Sequence, residues 1–284
     1  MDSLPETLVD FHTHSHFSDG VLPPAQLVER ARGRGVSLMA LTDHDTTAGL
    51  AEARAACEAA AIRFVPGVEL SATWRGQTIH IVGLAVDERH AGLQAHMAGV
   101  LEQRQSRLRE MGERLEKRAR LPGRELAEIA SGCAAPTRLH LARLLVERGF
   151  ARDTQAAFDR YLNRNTPGHV PAEWPTFDAA MTVLRDNGAV AVLAHPHRYR
   201  ASAGQLRELT AAFAQAGGKA LEASMAGMSP NDADRIASLC RRFSLHASMG
   251  SDFHDPVVPW NPLGRWLKLA PGLEPVTQLL TPRA

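Results

Sequence analysis

Three histidines on alternating positions, His12, His14 and His16, close a short apolar run in VDFHTHSHFSDG (9–20), and Asp19 follows in a turn with Gly20. Alternate residues of a strand point to one side, so His12 and His14 can grip one ion. Asp252 and His254, in GSDFH, repeat the device near the other end of the chain. Between them stand Asp43 and His44 in LTDHD, Glu69 in GVEL, His80 inside TIHIVGLAV, and His195 in AHPHRY. Imidazoles and carboxylates without a thiolate suit Zn²⁺, Mn²⁺ or Fe²⁺. The candidate ligands are His12, His14, Asp19, His44, Glu69, His80, His195, Asp252 and His254. At roughly 4–6 ligands per ion they imply two or three ions, with Glu69 the expected bridge.

Each of these motifs has a plainer reading alone. The HxH pair can be structural, Asp19-Gly20 an ordinary turn, and His80 a hydrogen-bonded core histidine. Asp45 or Thr46 is expected to cap the following helix, and His195-Pro196 can mark a strand exit. Six coincidences at strand ends favour the metal site over all of them. Asp43 is expected to orient a ligand rather than bind an ion, and His16 to stand outside the ligand shell. His90, His96, His169 and His246 fall outside the pattern.

The elements that must position these groups alternate. LVDFH (8–12), SLMALTDH (37–44), RFVPGVEL (63–70) and TIHIVGLAV (78–86) read as strands, with helices over 23–35 and 46–61. From His90 to Asn187 the pattern is helical and highly charged, an inserted helical subdomain. Alternation then resumes with strands at 189–196, 219–224 and 244–254 and helices at 204–216 and 230–243. Such alternation argues for a mostly parallel sheet, most simply a barrel built from 1–89 and 188–284 around the 90–187 insertion. In a parallel sheet the strand C-termini share one edge, where ligands bind.

The chain has 284 residues, 44% of them hydrophobic, enough for a sizeable core. With 32 Lys+Arg against 31 Asp+Glu it has no general polyanion-binding surface, so any attraction for phosphate is local. Cys57, Cys133 and Cys240 make neither a disulfide framework nor a paired zinc motif, and a cytoplasmic location is expected. The opening MDSLPETLVDF lacks a signal-peptide pattern, and no run approaches the ~18 apolar residues of a membrane span. No protein partner is indicated.

DFHTHSHFSDG, LTDHD, GVEL, the strand His80, AHPHRY and GSDFH together resemble the PHP-domain (polymerase and histidinol phosphatase) phosphoesterases, and the helical insertion resembles the TrpH-like branch. The resemblance implies a distorted (β/α)₇ barrel with a trinuclear site. His12, His14, Glu69 and Asp252 would hold one ion, Glu69, His80 and His195 a second, and Asp19, His44 and His254 a third. Manganese is the usual ion of the family, with zinc or iron equally suited to the ligands.

Clustered divalent ions supply hydroxide near neutral pH and neutralise phosphoryl oxygens, so phosphoester hydrolysis by a bridging hydroxide is the expected reaction. Glu69, Asp252, His254 and His197 are the residues expected nearest the chemistry. Binuclear amidohydrolases, the competing enzyme class, commonly bridge with a carboxylated lysine. The only lysines here are Lys117, Lys219 and Lys268, none at a rim position. A non-catalytic metal-binding protein is the remaining alternative. For substrate, Arg198 and Arg200 follow the rim strand with His197, while Arg138 and His140 open an insertion helix whose N-terminus favours an anion. A second anion site suits a substrate with two phosphates. The TrpH-like branch is associated with 3′-phosphate removal from nucleoside 3′,5′-bisphosphates and with 5′-to-3′ degradation of short RNA. A nucleoside bisphosphate is therefore the expected substrate, with short 5′-phosphorylated RNA or a histidinol phosphate-like monoester behind it. The sequence leaves the role of Glu222 open.

Overall fold

Seven strands follow one another around a single sheet in chain order: β1 (Leu8–Asp10), β2 (Val36–Leu41), β3 (Arg63–Trp74), β4 (Gln77–Leu84), β5 (Val190–Leu193), β6 (Ala220–Met225) and β7 (His246–Gly250). The computed structural model describes residues 8–258 and 261–280. Residues 1–7, part of the opening read as lacking a leader, lie outside these. The sheet closes on itself beyond β1 and β7. Phe11 N–H donates to the Met249 carbonyl at 3.0 Å, Asp252 N–H to His12 at 2.8 Å and His14 N–H to Phe253 at 2.9 Å. The result is a distorted barrel, as expected.

The expectation of a mostly parallel sheet needs one correction. Four neighbouring pairs are parallel, but β4 runs antiparallel to both β3 and β5. Trp74 pairs with Gln77, so only Arg75 and Gly76 make the turn, both at positive φ (48° and 77°). A two-residue turn of that hand joins antiparallel strands. The reversal brings the beginning of β4, with His80, to the edge where the parallel strands end.

Nine α-helices surround the sheet among the described residues: α1 (Pro24–Gly33), α2 (Leu50–Ala59), α3 (Ala91–Ala119), α4 (Gly123–Ala130), α5 (Arg138–Glu147), α6 (Thr154–Ala157), α7 (Phe177–Asn187), α8 (Ala203–Gln215) and α9 (Pro230–Phe243). A π-turn at Phe158–Leu162 continues α6. Neither Asp45 nor Thr46 caps α2, which starts only after Gly49. Asp45 instead accepts from the Ser71 N–H at 2.8 Å. Thr46 Oγ1 accepts from Ala48 N–H at 3.2 Å.

The helices between β4 and β5 include a separate buried cluster, running from Leu108, Met111 and Leu115 through Leu126, Leu141 and Leu145 to Val170. The two ends of the 90–187 stretch pack with the barrel: Leu93 and Met97 of α3, and Phe177, Met181 and Leu184 of α7, share the cluster that holds Leu70, Ile79 and Ile81. Along α3 the buried stripe is Leu93, Met97, Val100, Arg104, Leu108, Met111 and Leu115. A charged residue thus occupies a core position. Arg104 meets Asp45 Oδ2 through Nε (3.1 Å) and Nη2 (2.5 Å), and also reaches the Pro136 carbonyl and Ser71 Oγ. This buried ion pair fastens α3 to the segment that follows β2. No helix among the described residues is long and apolar enough to cross a membrane.

Candidate metal centre

The nine candidate side chains, from seven separate places in the sequence, meet at one end of the barrel around Glu69. Glu69 is fully buried in the middle of β3, and a parallel bridge ties it to His44. Its Oε2 lies 3.1 Å from His12 Nε2, 3.2 Å from His14 Nε2 and 3.1 Å from His44 Nδ1. Its Oε1 lies 3.1 Å from His80 Nδ1 and 3.0 Å from His195 Nε2. Asp252 Oδ1 is 3.3 Å from the Nε2 atoms of both His12 and His14. On the far side, Asp19 Oδ1 is 3.1 Å from His254 Nε2, and Asp19 Oδ2 is 3.8 Å from His44 Nε2.

Three groups of these residues are spaced to hold an ion: His12, His14, Glu69 and Asp252; His14, Asp19, His44 and His254; and His44, Glu69 and His80. His195 Nε2 adjoins the last, 3.3 Å from His80 Nδ1. The donor set fits divalent cations, and two details of the packing support that fit. His12 Nε2 and His14 Nε2 face each other at 3.0 Å. The buried His44 Nδ1 and Asp19 Oδ1 find no aligned hydrogen-bond partner despite their close neighbours. These donor atoms converge on shared points, as the ligands of one ion would.

Three histidines are turned inward by what holds their other nitrogen. His12 Nδ1 lies 2.5 Å from Glu222 Oε1, His14 Nδ1 3.4 Å from Ser18 Oγ, and His254 Nδ1 2.9 Å from the Asp252 carbonyl. A carboxylate or carbonyl can only accept, so Nδ1 of His12 and His254 carries the proton and leaves the Nε2 lone pair free. Asp43 binds no candidate ligand directly. It accepts from Ser15 N–H (2.7 Å), Ser15 Oγ (2.6 Å) and Ser18 Oγ (2.6 Å), so it acts on His14 through Ser18. His16 is exposed and packs on Phe17, apart from the cluster.

The electrostatics are those of buried carboxylates and imidazoles held close together. Burial would raise the Glu69 pKa, but His44, His12 and His80 outweigh it and hold the carboxyl well below the usual range. Asp19 and Asp252 are held low in the same way, by His254 and His44 and by His12 and His254 respectively. Burial opposes a charge on His14, yet its bonds to Asp252 and Glu69 carry its pKa up to about 10. His12 is raised well above its ordinary value against the same penalty, chiefly by Glu222 and Glu69. Burial takes His44 the other way, to about 3. At pH 7 the metal-free protein therefore keeps protons on His12 and His14 that a cation must displace. Titrating the metal-free protein with Mn²⁺ at pH 7 should release roughly two protons per protein. Calorimetric heats that do not vary with buffer ionisation enthalpy would contradict this.

The residues expected to bind substrate are spread over two sides of the cluster. Arg198 pairs with Asp252, and Arg200 is exposed beyond it. His197 is half-buried and its pKa is pushed down to about 4, by burial first and then by Arg198, so it is neutral at pH 7. On the insertion, Arg138 opens α5 with its guanidinium 5.5 Å from the Phe158 ring centre; among the described residues it pairs with no carboxylate. His140 is engaged as a cap, its Nδ1 accepting from Thr137 N–H at 3.0 Å. Sequence reasoning missed Arg143, whose Nη2 donates to the Asp19 carbonyl at 2.8 Å. It also missed Arg107, whose pKa falls to about 10 through burial and the neighbouring Arg138 and Arg104.

Comparison with known proteins assigns the family. The PHP-domain model matches residues 10–162. The chain belongs to the PHP-domain family. It is 44% identical to the 5′-3′ exoribonuclease Rnm of Salmonella typhimurium over 95% of this chain and 93% of that protein. It is 37% identical to the 3′,5′-nucleoside bisphosphate phosphatase of Chromobacterium violaceum, over 97% of each. A solved structure from Chromobacterium violaceum, described as an amidohydrolase with bound sulfate and no metal, shares 38% identity and a TM-score of 0.88, covering 96% of this chain and 95% of that one. This PHP-domain protein is a metal-dependent phosphoesterase.

Proposed function

We propose that this protein hydrolyses the 3′-phosphate of nucleoside 3′,5′-bisphosphates, giving the nucleoside 5′-monophosphate and phosphate. The observation that carries the proposal is the Glu69-centred cluster together with Arg138, a half-buried guanidinium that pairs with no carboxylate among the described residues, on the helix that lies over Asp19. In this reading His12, His14, Glu69 and Asp252 hold one ion, Glu69, His80 and His195 a second, and Asp19, His44 and His254 a third. Manganese is the expected occupant. Such ions, when bound, lower the pKa of water and offset the charge that develops on phosphoryl oxygens.

The chain's own part is to position. Glu69 holds the ligand groups in one spatial relation, and Arg138 anchors the 5′-phosphate so that the 3′-phosphorus meets the cluster. One water is consumed: its oxygen forms the new bond to phosphorus, the bond between phosphorus and the 3′-oxygen breaks, and the proton that the water gives up ends on the leaving 3′-oxygen. His197 is neutral at pH 7 and can only take up a proton first, so it does not serve as the resting acid.

The exoribonuclease reading is favoured by the 44% identity to a protein of that name. Chemically it is the same cleavage. Removing a 5′-nucleotide from 5′-phosphorylated RNA also breaks the bond between the first 3′-oxygen and phosphorus, and only the group carried by the phosphorus differs. An amidohydrolase reading lacks its bridging lysine, since Glu69 stands at the centre of the cluster.

Turnover of adenosine 3′,5′-bisphosphate, a 5′-phosphorylated oligoribonucleotide and histidinol phosphate, compared with Mn²⁺ present, tests the proposal. The bisphosphate should be best, and a clear preference for histidinol phosphate would overturn it. Arg138→Ala should lower kcat/KM for the bisphosphate by roughly 10–100-fold, the loss of a charge-assisted contact of about 1.5–3 kcal/mol. A simple phosphate ester should be little affected. Equal losses on both substrates would remove Arg138 from the site.

A further inference from the structure

Glu222 is buried within β6 (1% exposed), a carboxylate in a strand whose every residue is buried. It lies 210 residues from His12 in the chain, yet its Oε1 is 2.5 Å from His12 Nδ1. Its Oε2 accepts a hydrogen bond from the backbone N–H of His195. His195 sits at the end of β5 with φ 32°, in the left-handed region that a non-glycine residue adopts only when its surroundings hold it there. One side chain thus fixes the ring of one candidate ligand and the backbone of another. The two contacts fall in different groups, because His12 faces Asp252 and His14 while His195 faces His80. Glu69 is the only candidate ligand that touches both.

We infer that Glu222 is a positioning residue that couples the two ion sites sharing Glu69, by holding His12 with its proton on Nδ1 and by pinning the left-handed turn at His195. The inference rests on the metal-centre reading above. A buried carboxylate accepts both donors at once, whereas an amide of the same shape cannot. Glutamine offers one accepting oxygen, and its NH₂ would face a second N–H. Glu222→Gln therefore keeps the volume and removes the two-sided grip.

The test is calorimetric titration of the metal-free wild-type and Glu222→Gln proteins with Mn²⁺, with thermal melts of both metal-free forms to confirm folding. Affinity at the two sites sharing Glu69 should fall roughly 10–100-fold in the variant, as is usual when the partner of a metal-binding histidine is lost. The site of Asp19, His44 and His254 should keep its affinity. Activity should show the same split: kcat recovers at saturating Mn²⁺, while the half-saturating Mn²⁺ concentration rises. A folded variant that binds Mn²⁺ as the wild type does would overturn the inference, and so would a loss of kcat that added Mn²⁺ does not restore.

A measurement on the wild type alone keeps the inference testable if the variant does not fold. In the Zn²⁺-loaded protein, nitrogen-detected NMR should find the His12 ring proton on Nδ1, and a proton on Nε2 would overturn the assignment. Wild-type protein that binds no Mn²⁺ would instead sink the metal-centre reading itself.

Discussion

Replacing Glu69 with glutamine is expected to lower phosphate release by at least about 10³-fold, some 4 kcal/mol of transition-state stabilisation, while leaving the barrel folded. The size follows from position. Both carboxylate oxygens are committed, Oε2 among His12, His14 and His44 and Oε1 between His80 and His195. An amide keeps one weakly donating oxygen and turns an NH₂ toward the other nitrogens. Asp252 and Asp19 lie on opposite flanks of the cluster, and Glu222 is committed to His12 Nδ1 and the His195 N–H, so none of the three stands in its place. The fold should survive because β3 is held by its backbone ladders to β2 and β4. Steady-state phosphate release, with metal content measured on the same sample, checks this. Activity within tenfold of wild type would mean that Glu69 does not join the ions.

Arg104→Met is expected to cost about 3–5 kcal/mol of folding stability, the usual effect of stripping one partner from a buried ion pair. Asp45 would be left buried with the Ser71 N–H as its remaining direct donor. In the native protein burial tends to raise the Asp45 pKa, but Arg104 and that N–H outweigh it and lower the value below 3.8. A carboxyl whose folded pKa is depressed contributes stability that is complete above its unfolded value and fades as pH falls through the folded one. The penalty of the variant should therefore be largest near neutral pH and shrink on acidification, as Asp45 takes up a proton. Urea denaturation across that pH range measures both effects. Arg104→Met combined with Asp45→Asn should recover much of the loss, and a double variant no more stable than Arg104→Met would show that the pairing is not its origin.

How much of this was legible in the sequence depended on whether a residue's signal was local. The alternating His12 and His14, and the strand-end places of His44, Glu69 and His195, were readable because an imidazole or carboxylate beside an apolar run is conspicuous. Periodicity also found every strand, and the helical run between the fourth and fifth of them. It could not find the reversal of β4, because direction is set by the two-residue turn at Arg75 and Gly76, and arginine gives little hint of positive φ. The role of Glu222 stayed open because its two partners lie 210 and 27 residues away, and no spacing rule reaches that far. Arg104 was legible in principle. It falls on the apolar stripe of α3, four residues after Val100 and four before Leu108, where a solvated face has no place. Thr137 and His140 form a capping box, a local pattern in which histidine stands where glutamate or glutamine is usual.

The closure of the barrel between β1 and β7 also bears on when the protein can acquire its cations. The group that includes His12 and His14 is finished only by Asp252, and that of Asp19 and His44 only by His254. As the chain leaves the ribosome, the first imidazoles wait through more than two hundred residues before their partners are made. Two of the three groups spaced to hold an ion are therefore incomplete until the segment after the final strand has docked.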